Sequence, residues 1–545
     1  ATTDAITIYS DSSASTDPSS RGIVAYWHGV LDAKRGYQGV QILATKSGGG
    51  ISLTGIGSST APGSGDGHGL WFEFTDILAI DGPIKLNGLA STSTTTYGLE
   101  TGVRANASSL LRIGGWQTAG STAVGGGTIT TPGGVTANFT NSSSDVTIQA
   151  DSVYSWEGGI GTNVSTTGNV AILPATLSGG IVTASNAFER AQTDQNFRFG
   201  QFVFPTRMAS FNLGRDGGTT AITLDANVSA VGDIQVFGSS LSVMGNLDTS
   251  AATGDILVKG SEDVLTSGAR TLSTLGGNVT LWSDSDASGS GRIGLDASNT
   301  ITTSGGKITL AGGADTGAST VVAGRSSGDG LPDGYATGNG STLGCSALTG
   351  TVQGVFLGTT TTLNSSNGDI FIAGKGLTAS SVDCASGVNA MTDLLIKAGA
   401  GKIGIYGTAN PAAASAYTAG AIFAGHTARK TVISSSNSAT DAIVISGNAG
   451  STASVRQAGV LFNSMLAGSN QQSIVANTGT GGIQIIGRSV STSTTALGDN
   501  VGDGLEMYAV SILAKSGPIS LTGTTGAGNT ANNVGCSMDH STLAR

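Results

Sequence analysis

Gly368 to Gly374 reads GDIFIAG, and Gly401 to Gly407 reads GKIGIYG. In each, two isoleucines two positions apart stand between glycines, which is the period of a strand with one face turned inward. The phrase recurs as Gly82-Pro83-Ile84-Lys85-Leu86-Asn87-Gly88 and, one residue shorter, as Gly50-Ile51-Ser52-Leu53-Thr54-Gly55. Related units centre on Ile443/Ile445, Ile483/Ile485 and Ile519/Leu521. From first Ile to first Ile the steps are 33 residues (51 to 84), 33 (370 to 403), 40 (403 to 443), 40 (443 to 483) and 36 (483 to 519). A period of about 20 to 50 residues marks a solenoid or an array.

A longer comparison secures the duplication. Leu70 to Gly88 (LWFEFTDILAIDGPIKLNG) and Leu505 to Gly523 (LEMYAVSILAKSGPISLTG) share nine of nineteen residues without a gap. Gln41 to Gly55 is a third copy, two residues longer at the turn. Between residues 230 and 312 the phrases crowd together, starting at Gly232, Gly254, Gly277, Gly291 and Gly306, which predicts compact coils of roughly 22 to 30 residues.

Each repeat holds about three short alternating runs, as in GVFL (354–357), TLN (362–364) and DIFI (369–372). No amphipathic segment long enough for a crossover helix separates them, so a βαβ arrangement is excluded. The remaining arrangement is a coil whose strands turn corners and pair with their equivalents one coil on. This predicts an all-β chain, a parallel β-helix (solenoid) with long corner loops. Glycine at the corners is expected to supply φ > 0, and Pro83 and Pro518 suit turn positions just before a strand. One continuous solenoid is expected: coils with longer loops over 1–185, an aromatic and Arg-rich insertion over 186–218, compact coils over 219–325, and 33–40-residue repeats over 326–545.

Composition agrees. Of 545 residues 87 are Gly and 9 Pro, with no Gly-x-y period, so the chain is not collagen-like. Hydrophobic residues make up 38% and recur in alternating runs, which argues against disorder. The net charge is −10 and Lys and Arg are scattered singly, so no basic stripe offers itself to nucleic acid. No apolar run is long enough to span a membrane as a helix. Neither end carries an obvious capping element; the expectation is a piece of a longer polypeptide or coil ends that stack head to tail into a fibre.

The GDIxVxG, GGxITLxGG and SILAKSGPISLTG phrases resemble the repeat region of filamentous-haemagglutinin-like large exoproteins, over most of the chain. That resemblance implies a right-handed parallel β-helix, export by the two-partner route, and adhesion or matrix building at a bacterial surface. No amino-terminal secretion domain of that family is recognisable here.

Chemistry is sparse. His28, His68, His426 and His540 lack metal-ligand spacing. The Gly-Asp-Gly turns, Gly328-Asp329-Gly330 among them, supply the hard oxygen ligands that Ca²⁺ takes, and turn chemistry explains them equally well; no other cofactor is expected. The enzymatic alternative is a β-helical polysaccharide lyase or tailspike-like glycosidase, which needs carboxylates gathered in one groove; the acids here lie mostly in turns, at Asp81, Asp233, Asp255 and Asp369. A second alternative is a surface-layer lattice protein. Six of the fourteen Phe fall between Phe188 and Phe211, interleaved with Arg. Phe197, Arg198, Phe199, Phe202, Phe204, Arg207 and Phe211 form either a satellite core or an exposed patch for a partner. Trp71, Phe72 and Phe74 offer a platform for sugars or a capped hydrophobic end. Cys345 and Cys384, 39 residues apart, are either a disulfide between neighbouring coils or two small core residues. The expected function is an extracellular structural or adhesive fibre subunit, not an enzyme, with a carbohydrate or a neighbouring cell surface as ligand.

Overall fold

The computed structural model describes, with interruptions, residues 4–25, 40–57, 69–89, 110–174, 202–339, 352–377 and 385–545; in the last span 410–417, 425–430, 450–456, 464–472, 490–501 and 526–533 fall outside the description. Every named element is a strand. No helix among the described residues is long and apolar enough to cross a membrane. Two compact units emerge, Ala1–Ser239 with Met244–Leu247, and Ser240–Val243 with Asp248–Arg545.

In the first unit the chain runs repeatedly over three faces. Face one stacks Asp4–Asp11, Gly50–Ile56, Ile84–Leu89, Val146–Ala150, Asn169–Leu173, Ser210–Leu213 and Ile234–Gly238, every neighbour parallel. Face two stacks Ile23–Ala25, Leu70–Glu73, Leu110–Gly114 and Ser152–Trp156. Face three stacks Val40–Ala44, Thr75–Ala79, Ala123–Gly125, Thr162–Ser165 and Phe202–Val203. One short antiparallel pair, Thr128–Thr130 with Thr136–Asn138, lies between a face-three strand and the next face-one strand.

In the second unit face one stacks Ile256–Gly260, Val279–Ser283, Ile308–Gly312, Ile370–Lys375, Ile403–Thr408, Ile443–Ala449, Ile483–Ser489 and Ile519–Thr524. Its register sets Ile370, Ile403, Ile443, Ile483 and Ile519 side by side, as the spacing of the phrases requires. Faces two and three follow in each coil, for example Thr418–Ala424 and Val432–Ser435. This is a parallel β-helix. The inward columns are aliphatic: Val258, Leu281, Leu310, Ile372, Ile405, Ile445 and Ile485 are all 0% exposed. Each such side chain contributes about 1.5–3 kcal/mol, and a register slip of one residue would turn the whole column outward.

Gly291-Arg292-Ile293-Gly294-Leu295, read as one more face-one phrase, takes another place. Ile293–Leu295 pairs with Val264–Thr266 and Val355–Leu357 on face two. Local alternation is the same on every face, so the phrase alone cannot say which it joins. The coil from Val279 to Ile308 is therefore a single turn of 29 residues.

The glycines mostly answer a demand other than φ > 0. A Cβ on Gly306 would stand 1.9 Å from the carbonyl oxygen of Gly277 in the preceding coil, and one on Gly401 1.9 Å from that of Gly368. Backbone lies against backbone there, so no side chain fits. The exposed edge of this corner is closed by the residue before each strand. Asp255 Oδ1 accepts the Asn278 backbone N–H at 2.6 Å, Asn278 Oδ1 accepts that of Lys307 at 2.9 Å, and Asp369 Oδ1 accepts that of Lys402 at 2.8 Å. The Gly-Asp-Ile phrase thus carries an acceptor for the next coil, which is why its acids gather in corners. Buried hydroxyls close the inner side: Ser365 Oγ donates to the Gly368 carbonyl at 2.5 Å and Ser435 Oγ to that of Gly401 at 2.7 Å. Without these partners the corner carbonyls would be buried and unsatisfied.

Candidate functional site

The largest departure from the coil in the second unit lies between the strands Ile308–Gly312 and Val355–Leu357, where the chain leaves face one. Ala336–Thr337 returns to pair with Gly374–Lys375, and Gly334 bridges Gly312. Val322 packs on the outward alanines Ala311 and Ala373, with Tyr335, Phe371 and Tyr406 around them. The Phe371 and Tyr406 rings lie 5.5 Å apart. Gly404, in register beside Phe371, leaves the space that the Tyr406 ring occupies, since a Cβ there would come within 2.9 Å of the ring.

This excursion gathers the acids. Carboxylate oxygens of Asp315, Asp329 and Asp333 lie within 4.8 Å of one another. Asp315 accepts the backbone N–H of Gly328, that of Asp329 at 3.2 Å and that of Gly330 at 2.7 Å; Asp329 accepts that of Leu331 at 3.0 Å. Arg325 donates to the Pro332 carbonyl at 2.9 Å and lays its guanidinium 4.4 Å above the Phe371 ring. Burial lowers the Arg325 pKa from its usual value, while Asp329, Asp333 and Asp315 favour the charged form. Burial likewise pushes the Tyr406 phenol up, with Asp441 and Tyr335 adding to the effect.

These three oxygens are the kind of donors a hard cation takes, and Asp329 of the Gly328-Asp329-Gly330 turn is among them. Other groups also engage them. Asp315 gathers three N–H groups of the turn, Asp333 is fully buried, and Arg325 stands against all three charges. A glycosidase pair needs two accessible carboxyls about 5 to 9.5 Å apart; here one of the three is sealed from solvent and another is engaged by backbone. Asp315 and Asp329 thus hold the turn 328–331 together, while Arg325 and Val322 lay the excursion on face one at Phe371, Ala311 and Ala373.

The aromatic stretch resolves differently. Phe202 and Phe211 are 1% exposed and Phe204 8%. Phe202 and Phe204 stack at 6.2 Å and Phe204 meets Phe211 edge-on at 5.2 Å. Phe202–Val203 and Ser210–Leu213 are coil strands in register with their neighbours, inside the range assigned to an insertion. These three rings are core of the first unit and present no patch to a partner. Arg207 reaches the Ala230 carbonyl at 3.3 Å, while Phe197, Arg198 and Phe199 lie outside the described residues. Phe72 is 0% exposed, an interior residue and not a sugar platform. Trp71 stands in the same strand with its side chain undescribed, and Phe74 lies outside the described residues. So do Cys345 and Cys384; Cys536 is a free thiol. His540 is exposed and pairs with Asp539 at 2.7 Å. No family model matches the chain, and no curated protein or solved structure matches it either.

Proposed function

We propose that this chain is an extracellular structural and adhesive element of a bacterial surface, not an enzyme, whose coils extend end to end into a fibre. The observation that carries the reading is the run of aliphatic columns inside the coils of each unit. A chain that spends its hydrophobic residues on coil-to-coil stacking, and its acids on fastening corners and a turn, is suited to bear load and display surface. The stack also offers an edge for continuation. In the coil Cys536–Ala544, Met538 is 52% and Leu543 45% exposed, whereas Met507 and Ile512, beneath them in the same columns, are 1% and 0%. In the first unit Ile8 is 39% exposed although Leu53, beside it in register, is buried. A second copy, or further coils of a longer polypeptide, would pair with the same edges and cover the same side chains.

Electron microscopy of the purified chain in negative stain, with antibody labelling of intact producing cells, tests this. Filaments that lengthen with concentration, and label at the cell surface, support it. A two-dimensional lattice would favour the surface-layer alternative. Particles that stay single at every concentration, with no surface label, would refute the fibre.

A further inference from the structure

Asp503 opens the strand Asp503–Tyr508 and is 0% exposed. It follows Gly502, whose φ of +125° brings the chain into that strand. Its Oδ1 accepts the Val534 backbone N–H at 2.9 Å, a bond to the next coil; its Oδ2 is buried with no partner among the described residues. Among the described residues, the strands around it bring no compensating cation. The strand Gln457–Asn463 brings no titratable group, nor does Ile519–Thr524. Ile483–Ser489 brings only Arg488, which is exposed. Cys536–Asp539 brings the Cys536 thiol and the exposed Asp539. Glu506 and Tyr508 share Asp503's own strand.

A carboxylate buried with one oxygen unmatched is costly when charged and tolerable when neutral. We propose that Asp503 is a proton-operated latch on the coil that follows it: with its proton on, it holds Val534 and the strand Cys536–Asp539 in place, and on losing the proton it releases them. The observed bonds show what the latch closes: beside Val534 N–H to Asp503, the Gly504 N–H donates to the Val534 carbonyl at 3.2 Å and the Leu505 N–H to that of Gly535 at 2.9 Å.

Burial raises the Asp503 carboxyl above the ordinary carboxylate range, opposed by the Val534 N–H, which favours the charge. The sign follows. A group whose proton is held more tightly in the closed coil than in the open one stabilises closure fully below the ordinary carboxylate pKa, and that contribution is lost as pH rises towards the closed-state pKa. Opening should therefore become about tenfold easier per pH unit across that interval. The latch holds whether or not the released edge recruits a second copy, so it goes beyond the fibre reading and does not rest on it.

Hydrogen exchange of the amides 536–544, measured from pH 4 to pH 7 on the intact chain and on Asp503→Asn, supplies the test. Asn keeps an acceptor for Val534 and cannot ionise, so the ratio of wild-type to variant rates cancels the intrinsic pH dependence of exchange. A ratio that climbs with pH by about tenfold per unit supports the latch; a ratio flat over the range overturns it. Should Asp503→Asn fail to fold, ¹³C-carboxyl NMR of Asp-labelled wild-type chain decides: titration above the ordinary range supports the latch, and titration within it refutes it.

Discussion

Two stretches of the second unit share their inward columns and differ in how they leave face one. From Ile256 to Ile308 the coils take 23 and 29 residues, and Gly260 is followed by face two at Val264. From Ile370 to Ile519 they take 33 to 40, and face two waits until Thr418, Gln457 or Asp503. The longer coils share a device at the point of departure. Gly407 lies so close to Gly420 of its own coil that a Cβ on it would stand 1.9 Å from the Gly420 carbonyl oxygen; Gly447 and Gly459 repeat this at 1.9 Å, Gly487 and Gly504 at 1.8 Å. The outgoing and returning limbs of each long loop press together through a glycine pair. Coil length is thus set outside the stack, and the comparison teaches that register and loop length are separately encoded.

The largest effect should fall on that neck. Gly407→Ala drives a methyl into a backbone carbonyl with nothing flexible to yield, so it should cost about 3 kcal/mol or more in urea unfolding, or abolish folding. A cost under about 1 kcal/mol would mean that the limbs separate freely and the neck is not a constraint. Next come the columns. Ile405→Ala in a long coil and Leu281→Ala in a compact one remove fully buried side chains, and each should cost about 2–5 kcal/mol. Similar values for the two would confirm that the stretches share one stacking energy; a value near zero in either would break the comparison. A smaller loss belongs to the corner hydroxyls. Ser365→Ala leaves the Gly368 carbonyl without its donor and should lower stability by about 1–2 kcal/mol, checked by the same unfolding series. The smallest concerns Lys402 and Asp441, whose 2.8 Å ion pair joins two long coils. Lys402 holds the Asp441 carboxyl below its usual range, so the pair stabilises above the ordinary carboxylate pKa and fades as pH falls through the lowered one. Both partners are over 40% exposed, and after solvent screening a double-mutant cycle should give at most about 0.5 kcal/mol, vanishing in high salt.

The columns were legible because they depend only on spacing: Ile370, Ile403 and Ile443 announce their register by their distances alone. Which face a phrase joins was not, since Ile293-Gly294-Leu295 alternates as a face-one strand does and only its distance to the next coil assigns it. The glycines were legible as corners but for a different reason, because sequence shows the missing side chain and not the carbonyl that excludes it. Asp315, Asp329 and Asp333 meet through the path of an excursion, which no local pattern records. The Phe cluster showed its composition and not its direction, for Phe211 occupies the same inward column as Val170 and Ile234, and Phe202 is as fully buried.

The glycine neck has a consequence for how such a chain can change over time. Because a loop starts and finishes at nearly one point, the ends it must bring together are already together, and the entropy of closing it grows only logarithmically with length. Doubling a loop adds about 0.6 kcal/mol, less than a single truncated column residue. Insertions between Gly407 and Gly420, or between Gly487 and Gly504, should therefore accumulate with little penalty, while the stack itself is held to a narrow alphabet.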